Sequence, residues 1–274
     1  MTSPPNTQPP RQIIIAATCY ADATRAIPMA AGLARWAKAD LHGILVEQDV
    51  TLTATGMFTT CLITPAGAQV AAPTTKQMRR LLAADARDFE AELAKLAGAS
   101  LRRWTFERLK GDLMVQMRAA AEQGDILLVG HHGFYRHHGA VILIHNPGQN
   151  QGQAQHRAFD IATQLGRNQN APLFIWAAAP DPEQRHFASV ELEAMLRRAD
   201  LPGSVARVFG SATEILEQIN RSSAVAVIID TQSGPFRSDA DMNHLLDVGR
   251  CPLVITGSAD APMSMEHPKP GQNT

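Results

Sequence analysis

The stretch DILLVGHHGFYRHHGAVILI, residues 125–144, decides how the chain is organised. It contains two short apolar runs, at 126–129 and 141–144, and each has the uninterrupted apolar character of a strand buried on both faces of a parallel sheet. Only about a dozen residues separate the runs, and they include Gly133, Gly139 and four histidines. A parallel crossover through a helix needs roughly a dozen residues or more, so a helix is not expected to fit in this segment. Residues 141–144 are therefore interpreted as the first strand of a second folding unit with a sheet of its own, rather than as the last strand of the first unit.

Beyond this strand, the chain alternates helix and strand patterns in a regular order. Helices are predicted at 156–167, 183–199, 212–221 and 239–248, and they lead into strands at 172–177, 205–209, 225–229 and 252–256. Ser211 and Ser238 stand where helix N-caps are expected. The order βαβαβαβαβ is the pattern of a doubly wound parallel sheet.

The same rhythm occurs earlier in the chain and stops after four strands. Strands are predicted at 13–17, 41–46, 101–109 and 125–130, and helices at 22–38, 74–96 and 112–123, with Gly98 as a helix stop. Residues 49–73 lack clear periodicity and are expected to form a long connection. The predicted fold is therefore α/β, with two tandem Rossmann-like units of the flavodoxin or HUP type, the first of them truncated.

The predicted domain boundaries follow from this repeat. They give a tail at 1–11, a first domain at 12–138, a second domain at 139–257 and a tail at 258–274. Both tails are rich in proline and polar residues and are expected to be flexible. The first domain would have a bare sheet edge where its fifth strand is missing, and bare edges promote aggregation. We expect cover from the second domain, as an intramolecular pseudo-dimer, or from a second chain in a homodimer.

Composition argues against several functional classes. The formal net charge of -1 provides no basic footprint for nucleic acid or for an anionic membrane. No apolar run approaches the ~18 residues of a membrane span, and the N-terminus lacks the apolar segment of a signal peptide. The three cysteines, Cys19, Cys61 and Cys251, are far apart, which disfavours disulfides and a zinc site and is typical of a cytoplasmic protein.

Four stretches, taken in order and spacing, resemble the universal stress protein family. RAFDIATQL at 157–165 is similar to the family's first helix, and VGRCPLVI at 248–255 is similar to its closing strand. FERLKGD at 106–112 and GDILLVGHHG at 124–133 are similar to a strand-to-helix turn and to the fourth strand. The resemblance covers roughly residues 12 to 257 and implies the tandem bacterial form, whose units associate through edge or fifth strands.

In nucleotide-binding members of that family, an Asp ends the first strand, and the fourth strand is followed by Gly-x-x-Gly, about nine residues and Gly-Ser or Gly-Thr. Such glycines let backbone N–H groups approach phosphate oxygens. Here Thr18 stands at the Asp position, Gly130-His131-His132-Gly133 retains the first glycine pair, and Leu143 replaces the later glycine. The resemblance implies Thr18, Gly130, His131 and Gly133 as nucleotide-binding candidates, with Gly130 and Gly133 as simple turn glycines the alternative.

The second domain departs further from this pattern. Its Asp position falls near His145 or Asn146, and no Gly-x-x-Gly follows its fourth strand. Both domains are therefore expected to carry degenerate nucleotide motifs.

Other constellations carry weaker signals. The loop HHGFYRHH at 131–138 is open to three interpretations, namely a solvated loop, a metal site and a phosphate contact. Glu191 and Glu193 lie two residues apart on a helix, do not face each other and are expected at the solvated surface. The three tryptophans, Trp36, Trp104 and Trp176, are expected to pack against the sheets.

The absence of catalytic motifs favours a non-catalytic stress-response or regulatory protein that binds a protein partner or a small ligand. We predict no cofactor, no metal, no nucleic acid and no membrane association. Two alternatives remain open: an ATP-binding universal stress protein with slow or no hydrolysis, and an enzyme of the wider nucleotide-binding α/β group.

Overall fold

The computed structural model describes residues 12–47, 61–63, 69–71, 74–100, 102–120, 126–131, 139–148, 153–231, 234–236 and 238–257. The strands are β1 (Gln12–Ala17), β2 (Asp40–Glu47), β3 (Cys61–Ile63), β4 (Gln69–Ala71), β5 (Trp104–Lys110), β6 (Ile126–Val129), β7 (Ala140–His145), β8 (Leu173–Ala178), β9 (Val205–Phe209), β10 (Ala224–Asp230) and β11 (Leu253–Thr256). The helices are α1 (Tyr20–Ala37), α2 (Thr75–Ser100), α3 (Leu113–Ala120), α4 (Gln153–Gln169), α5 (Pro182–Ala199), α6 (Ala212–Arg221) and α7 (Asp239–Gly249).

One nine-stranded sheet runs through the protein in the order β5-β2-β1-β6-β11-β10-β7-β8-β9. The first unit contributes β5, β2, β1 and β6, and the second contributes β9, β8, β7 and β10 in the matching order. Strand β7 occupies the place in its half of the sheet that β1 occupies in the first half, as expected if residues 141–144 open a second unit. The remaining strand, β11, stands at the centre of the sheet.

Strand β11 joins the two units. It pairs in parallel with β10, where Ile228 lies opposite Val254, and antiparallel with β6, where Leu128 lies opposite the same Val254. The edge of the first unit at β6 is therefore covered by a strand from the second half of the chain. The prediction that the second unit has a sheet of its own is wrong, because a single strand, β11, serves as the fifth strand of the second unit and also pairs with the last strand of the first.

Alternation along the strands divides the core between two helical layers. Ile13 and Ile15 of β1 point to the face covered by α1, α2, α4 and α5, whereas Ile14 and Ala16 point to the face covered by α3, α6 and α7. Both faces are covered, as the continuous apolar strands predict. No helix in the described part of the chain is long and apolar enough to cross a membrane.

Several local predictions are confirmed at the helix starts. The Ser211 side chain accepts a hydrogen bond from the Glu214 N–H at the start of α6. Ser238 accepts one from the Asp241 N–H, and the Asp241 carboxylate accepts the Ser238 N–H in return, which completes a capping box.

Three local predictions are wrong, namely a helix stop, a strand start and the packing of one tryptophan, and the description of one connection is incomplete. Helix α2 continues through Gly98 to Ser100, because burial of Leu93 and Ala97 holds its last turns against the core, and the strand predicted from residue 101 begins at Trp104. Within the connection predicted at 49–73, β3 and β4 form an antiparallel pair. Trp36 is 44% exposed and lies outside the core, whereas Trp176 is buried as expected.

Candidate binding site at the strand ends

Two crevices lie where ligands bind in doubly wound sheets, beside the carboxyl ends of the strands at which the strand order reverses. In the first unit this place lies between β1 and β6, and in the second unit it lies between β7 and β10. We call them the first crevice (Thr18, Asp22, Gly130 and His131) and the second crevice (His145, Gly148, Glu191 and Asp230). Strand β11 is antiparallel to β6 and parallel to β10, so β6 and β10 run in opposite directions. The two crevices therefore lie at opposite ends of the strands.

Gly130 in the first crevice is packed against the first turn of α1. Its N–H donates to the Ala16 carbonyl oxygen at 2.8 Å. A Cβ atom at this position would lie 2.5 Å from the Asp22 carbonyl oxygen and 3.2 Å from the Ala23 nitrogen. Backbone atoms of α1 therefore occupy the space where a side chain of residue 130 would lie. The N–H of Gly130 is already engaged in a hydrogen bond to β1.

Carboxylates line the rest of the first crevice. The Thr18 hydroxyl donates to Asp22 Oδ2 at 2.6 Å, and Asp22 is 7% exposed. The Tyr20 N–H donates to Asp85 Oδ2 at 3.2 Å. Burial raises the pKa of the neighbouring Cys19 thiol to about 11, and the charges of Asp22 and Asp85 add to the increase. A polyphosphate placed here would meet negative charge at short range.

A buried hydrogen bond between His145 and Glu191 defines the second crevice. The Nε2–H of His145 donates to Glu191 Oε1 at 2.8 Å, and the two side chains are 5% and 11% exposed. The Gly148 N–H donates to the other carboxylate oxygen of Glu191 at 3.3 Å. The expectation that Glu191 lies at the solvated surface is wrong, because α5 packs over β8 and β9 and brings this residue to the end of β7.

The two units hold the loop after their first strand in the same way. In each, a carboxylate from the helix that follows the second strand accepts a backbone N–H three residues beyond the end of the first strand. Asp85 of α2 binds Tyr20, which follows Ala17, and Glu191 of α5 binds Gly148, which follows His145. This internal correspondence supports the repeat at the level of individual hydrogen bonds.

The ends of the fourth strands differ between the units. In the first, Ile126 pairs with Ile13, and in the second, Ala226 pairs with the equivalent Val141. Four residues further on, Gly130 and Asp230 therefore occupy equivalent places. Asp230 is 5% exposed, so a buried carboxylate stands where the first unit has a glycine.

A surface cleft of about 520 Å³ adjoins the second crevice. It lies between the loop after β7 and the first two turns of α5, and the Phe187 ring, which is 60% exposed, forms one wall. We call it the Phe187 cleft, lined by Asn146, Pro147, Gly148, Ala178, Glu183, Gln184 and Phe187.

The predicted site residues converge in part. Thr18, Gly130 and His131 lie together in the first crevice, while Gly133 and the rest of the loop at 132–138 lie outside the described residues. Sequence reasoning missed Asp22, although its position four residues after Thr18 at a helix start was a usable signal. It also missed Asp85, whose partner is 65 residues away in the chain. Among the residues that the structure describes, no group of three or more side chains is placed to hold a metal ion.

Comparison with known proteins supports the fold. No family model and no curated protein sequence matches the chain. The structure is similar to that of a universal stress protein from Archaeoglobus fulgidus DSM 4304, with a TM-score of 0.52, 11% identity, and coverage of 93% of this chain and 99% of that one. At such low identity this similarity establishes a universal-stress-protein-like fold and nothing finer.

Two further structures match less well. The cytoplasmic domain of a prokaryotic cation chloride cotransporter has a TM-score of 0.46 and 13% identity, covering 91% of this chain and 96% of that one. A universal stress protein from Archaeoglobus fulgidus in complex with dAMP has a TM-score of 0.32 and 14% identity, covering 43% of this chain and 97% of that one.

Proposed function

We propose that the chain is a non-catalytic regulatory protein of the universal stress protein type, which acts in the stress response by binding a small ligand or a protein partner. The observation that carries the proposal is the environment of Gly130. A phosphate-binding turn needs free N–H groups and an open glycine face. At Gly130 the N–H donates to the Ala16 carbonyl oxygen and the Asp22 backbone fills the space beside Cα, which disfavours a phosphate contact by this glycine.

The polar groups of the second crevice support a non-catalytic role. A general base has to reach the proton that it removes from a substrate. His145 is 5% exposed, and its Nε2 is engaged with Glu191, so the imidazole serves to hold the loop after β7. A cytoplasmic location and the absence of nucleic-acid partners remain predictions from composition.

The Phe187 cleft is the proposed ligand site. Its exposed aromatic wall and the adjacent backbone of residues 146–148 combine an apolar surface with polar groups at the carboxyl end of a strand, where ligands of this fold class bind. It belongs to the second unit and adjoins residues 146–148, which follow the first strand of that unit.

Calorimetric titration with ATP and magnesium tests the proposal, together with mass spectrometry of the native protein as purified. We expect no adenine nucleotide to co-purify and any dissociation constant for ATP to exceed about 100 µM. Release of phosphate from ATP should not exceed the protein-free rate. A dissociation constant below about 10 µM would overturn the proposal in favour of an ATP-binding member. Thr18→Ala and Phe187→Ala would then show which unit binds.

A further inference from the structure

Helix α5 exposes an apolar patch on the side opposite its buried face. Ala188, Leu192, Met195 and Ala199 are buried against the core. Phe187 and Val190 are 60% and 55% exposed, and helical geometry directs them away from that buried face. Among the large hydrophobic side chains found exposed in the described part of the chain, they alone share a helix.

The patch belongs to a stripe with opposite charges at its two ends. Helical spacing places five exposed residues in one line, which we call the α5 stripe: Glu183, Phe187, Val190, Ala194 and Arg197. The acidic residue lies in the first turn of the helix and the basic residue lies in the last. A stripe with this charge order is complementary to its own reversed copy.

We propose that the α5 stripe is the contact surface for a second copy of this chain, with the two α5 helices packed antiparallel about a two-fold axis through Val190. In that arrangement Val190 meets Val190, and each Glu183 lies opposite Arg197 of the other copy. Isologous contacts of this kind require a surface that is self-complementary, which the stripe provides.

The other residues near the two-fold axis fit the same arrangement. Within the stripe, the Phe187 ring faces the small side chain of Ala194 in the other copy, which leaves room for the ring between helices 8–10 Å apart. Beside the stripe, His186 faces Glu193 of the other copy. Parallel helices would instead place like charges together at both ends, so charge selects the antiparallel pairing.

This surface is separate from the closure of the sheet, but it shares Glu183 and Phe187 with the Phe187 cleft, so a ligand in the cleft and a second copy of the chain would compete. The edge of the first unit, which a homodimer could have covered, is already paired with β11 of the same chain. A single pair of helices buries less than the roughly 1,200 Å² of a standard interface, so we expect a weak dimer with a dissociation constant of about 10–100 µM. Since ion pairs close both ends, raising the salt from about 50 to 500 mM should weaken it several-fold.

Sedimentation equilibrium of the full chain, between about 1 and 300 µM, tests the proposal. Val190→Glu places two like charges at the axis and should weaken the dimer at least tenfold. Glu183→Arg and Arg197→Glu should each weaken it, and the double variant should restore it because the pairs re-form with their charges exchanged. Leu81→Glu is the matched control, since it adds the same charge at an exposed leucine of α2 and should leave the dimer unchanged.

A wild-type chain that stays monomeric at about 300 µM would overturn the proposal. So would a dimer that survives Val190→Glu, because it would use another surface, and so would a double charge exchange that fails to restore association. Cross-linking gives a second readout that does not depend on affinity. Val190→Cys should form an intermolecular disulfide on oxidation at least tenfold faster than Leu81→Cys, and equal rates would contradict the two-fold axis.

Discussion

The two units solve the same folding problem with different loops after their first strands. In the first unit, α1 begins three residues after β1 ends, and in the second unit, α4 begins eight residues after β7 ends. The short loop is possible because Gly130 leaves space for the first turn of α1, whereas Asp230 occupies the equivalent place in the second unit. At this position of the sheet, the first crevice is filled by the backbone of α1 beside Gly130, whereas the second crevice, beside Asp230, adjoins the Phe187 cleft.

The units also differ in their dependence on β11. In the second unit this strand is the ordinary parallel continuation after β10, and in the first it is an antiparallel substitute from a distant part of the chain. Since one strand completes both halves, the two units should not unfold independently. The predictions that follow test this coupling first and then the differences between the crevices.

The largest effect is expected from Val254→Asp at the centre of the sheet. Val254 is fully buried between β6 and β10, so an unpaired charge there should cost about 4 kcal/mol or more of unfolding free energy. Val205→Asp on the edge strand β9, at a residue 48% exposed, should cost less than about 1 kcal/mol. Urea unfolding followed by tryptophan fluorescence measures both.

Coupling of the units has its own readout in the same experiment. Trp104 reports on the first unit and Trp176 on the second, and variants that retain only one of them separate the two signals. We expect the two unfolding transitions to coincide. Separate transitions would show that the shared strand does not couple the units.

Gly130→Ala should have the next largest effect. Its Cβ would lie 2.5 Å from the Asp22 carbonyl oxygen, so α1 has to move, at a cost of about 3 kcal/mol. Gly98→Ala is the matched control, because no atom lies within 4 Å of its Cβ in α2 and alanine should stabilise that helix by about 0.5–1 kcal/mol. A neutral Gly130→Ala would mean that the crevice is open enough to accept a ligand.

These glycines also show where sequence reasoning reaches its limit. The pattern around Gly130 predicts a tight turn after a strand, and the strand is found. Whether the bare face of the glycine meets a phosphate or a helix depends on where α1 begins, which no spacing of glycines specifies. The apolar run of β11 likewise predicts a buried strand. It does not predict which strands lie beside β11 or in which direction they run, because parallel and antiparallel pairing use the same side-chain alternation.

Glu191 illustrates a second limit. Its spacing from Glu193 correctly implies that the two carboxylates do not face each other within the helix. The same spacing says nothing about partners from other elements, and His145 lies 46 residues away in the chain. The regular alternation of helices and strands was predictable because it is local, whereas the polar contacts that shape the crevices join distant segments.

The carboxylates that hold the two loops should differ in strength. Glu191→Ala removes the partner of a buried imidazole and of the Gly148 N–H, and should cost about 2–4 kcal/mol. Asp85→Ala removes one backbone hydrogen bond of the first unit and should cost about 1 kcal/mol. Thermal unfolding of both variants checks the order. Equal losses would show that the buried imidazole adds nothing to the second unit.

The smallest perturbation compares the thiols of the two units. Burial raises the pKa of Cys19 to about 11 and that of Cys251 to about 12, and Cys251 is only 3% exposed. The thiolate is the reactive form, and a pKa of about 11 makes it about a hundredfold scarcer at pH 8 than in an ordinary cysteine. Because a thiolate of higher pKa is also more nucleophilic, alkylation of Cys19 by iodoacetamide should be only about tenfold slower. Its rate should keep rising with pH beyond about 9, where an ordinary thiol levels off, since the raised pKa moves the titration upward.

Cys251 should react only when the sheet opens, so its labelling measures unfolding of the centre of the protein rather than local chemistry. Peptide mapping by mass spectrometry separates the two sites. In Val254→Asp the labelling of Cys251 should accelerate by the factor that the lost stability predicts, provided that opening and closing are fast relative to alkylation. The labelling of Cys19 should accelerate by the same factor only if the first unit unfolds together with the second. A Cys19 rate that ignores the substitution would mean that β11 closes the edge of the first unit without stabilising it.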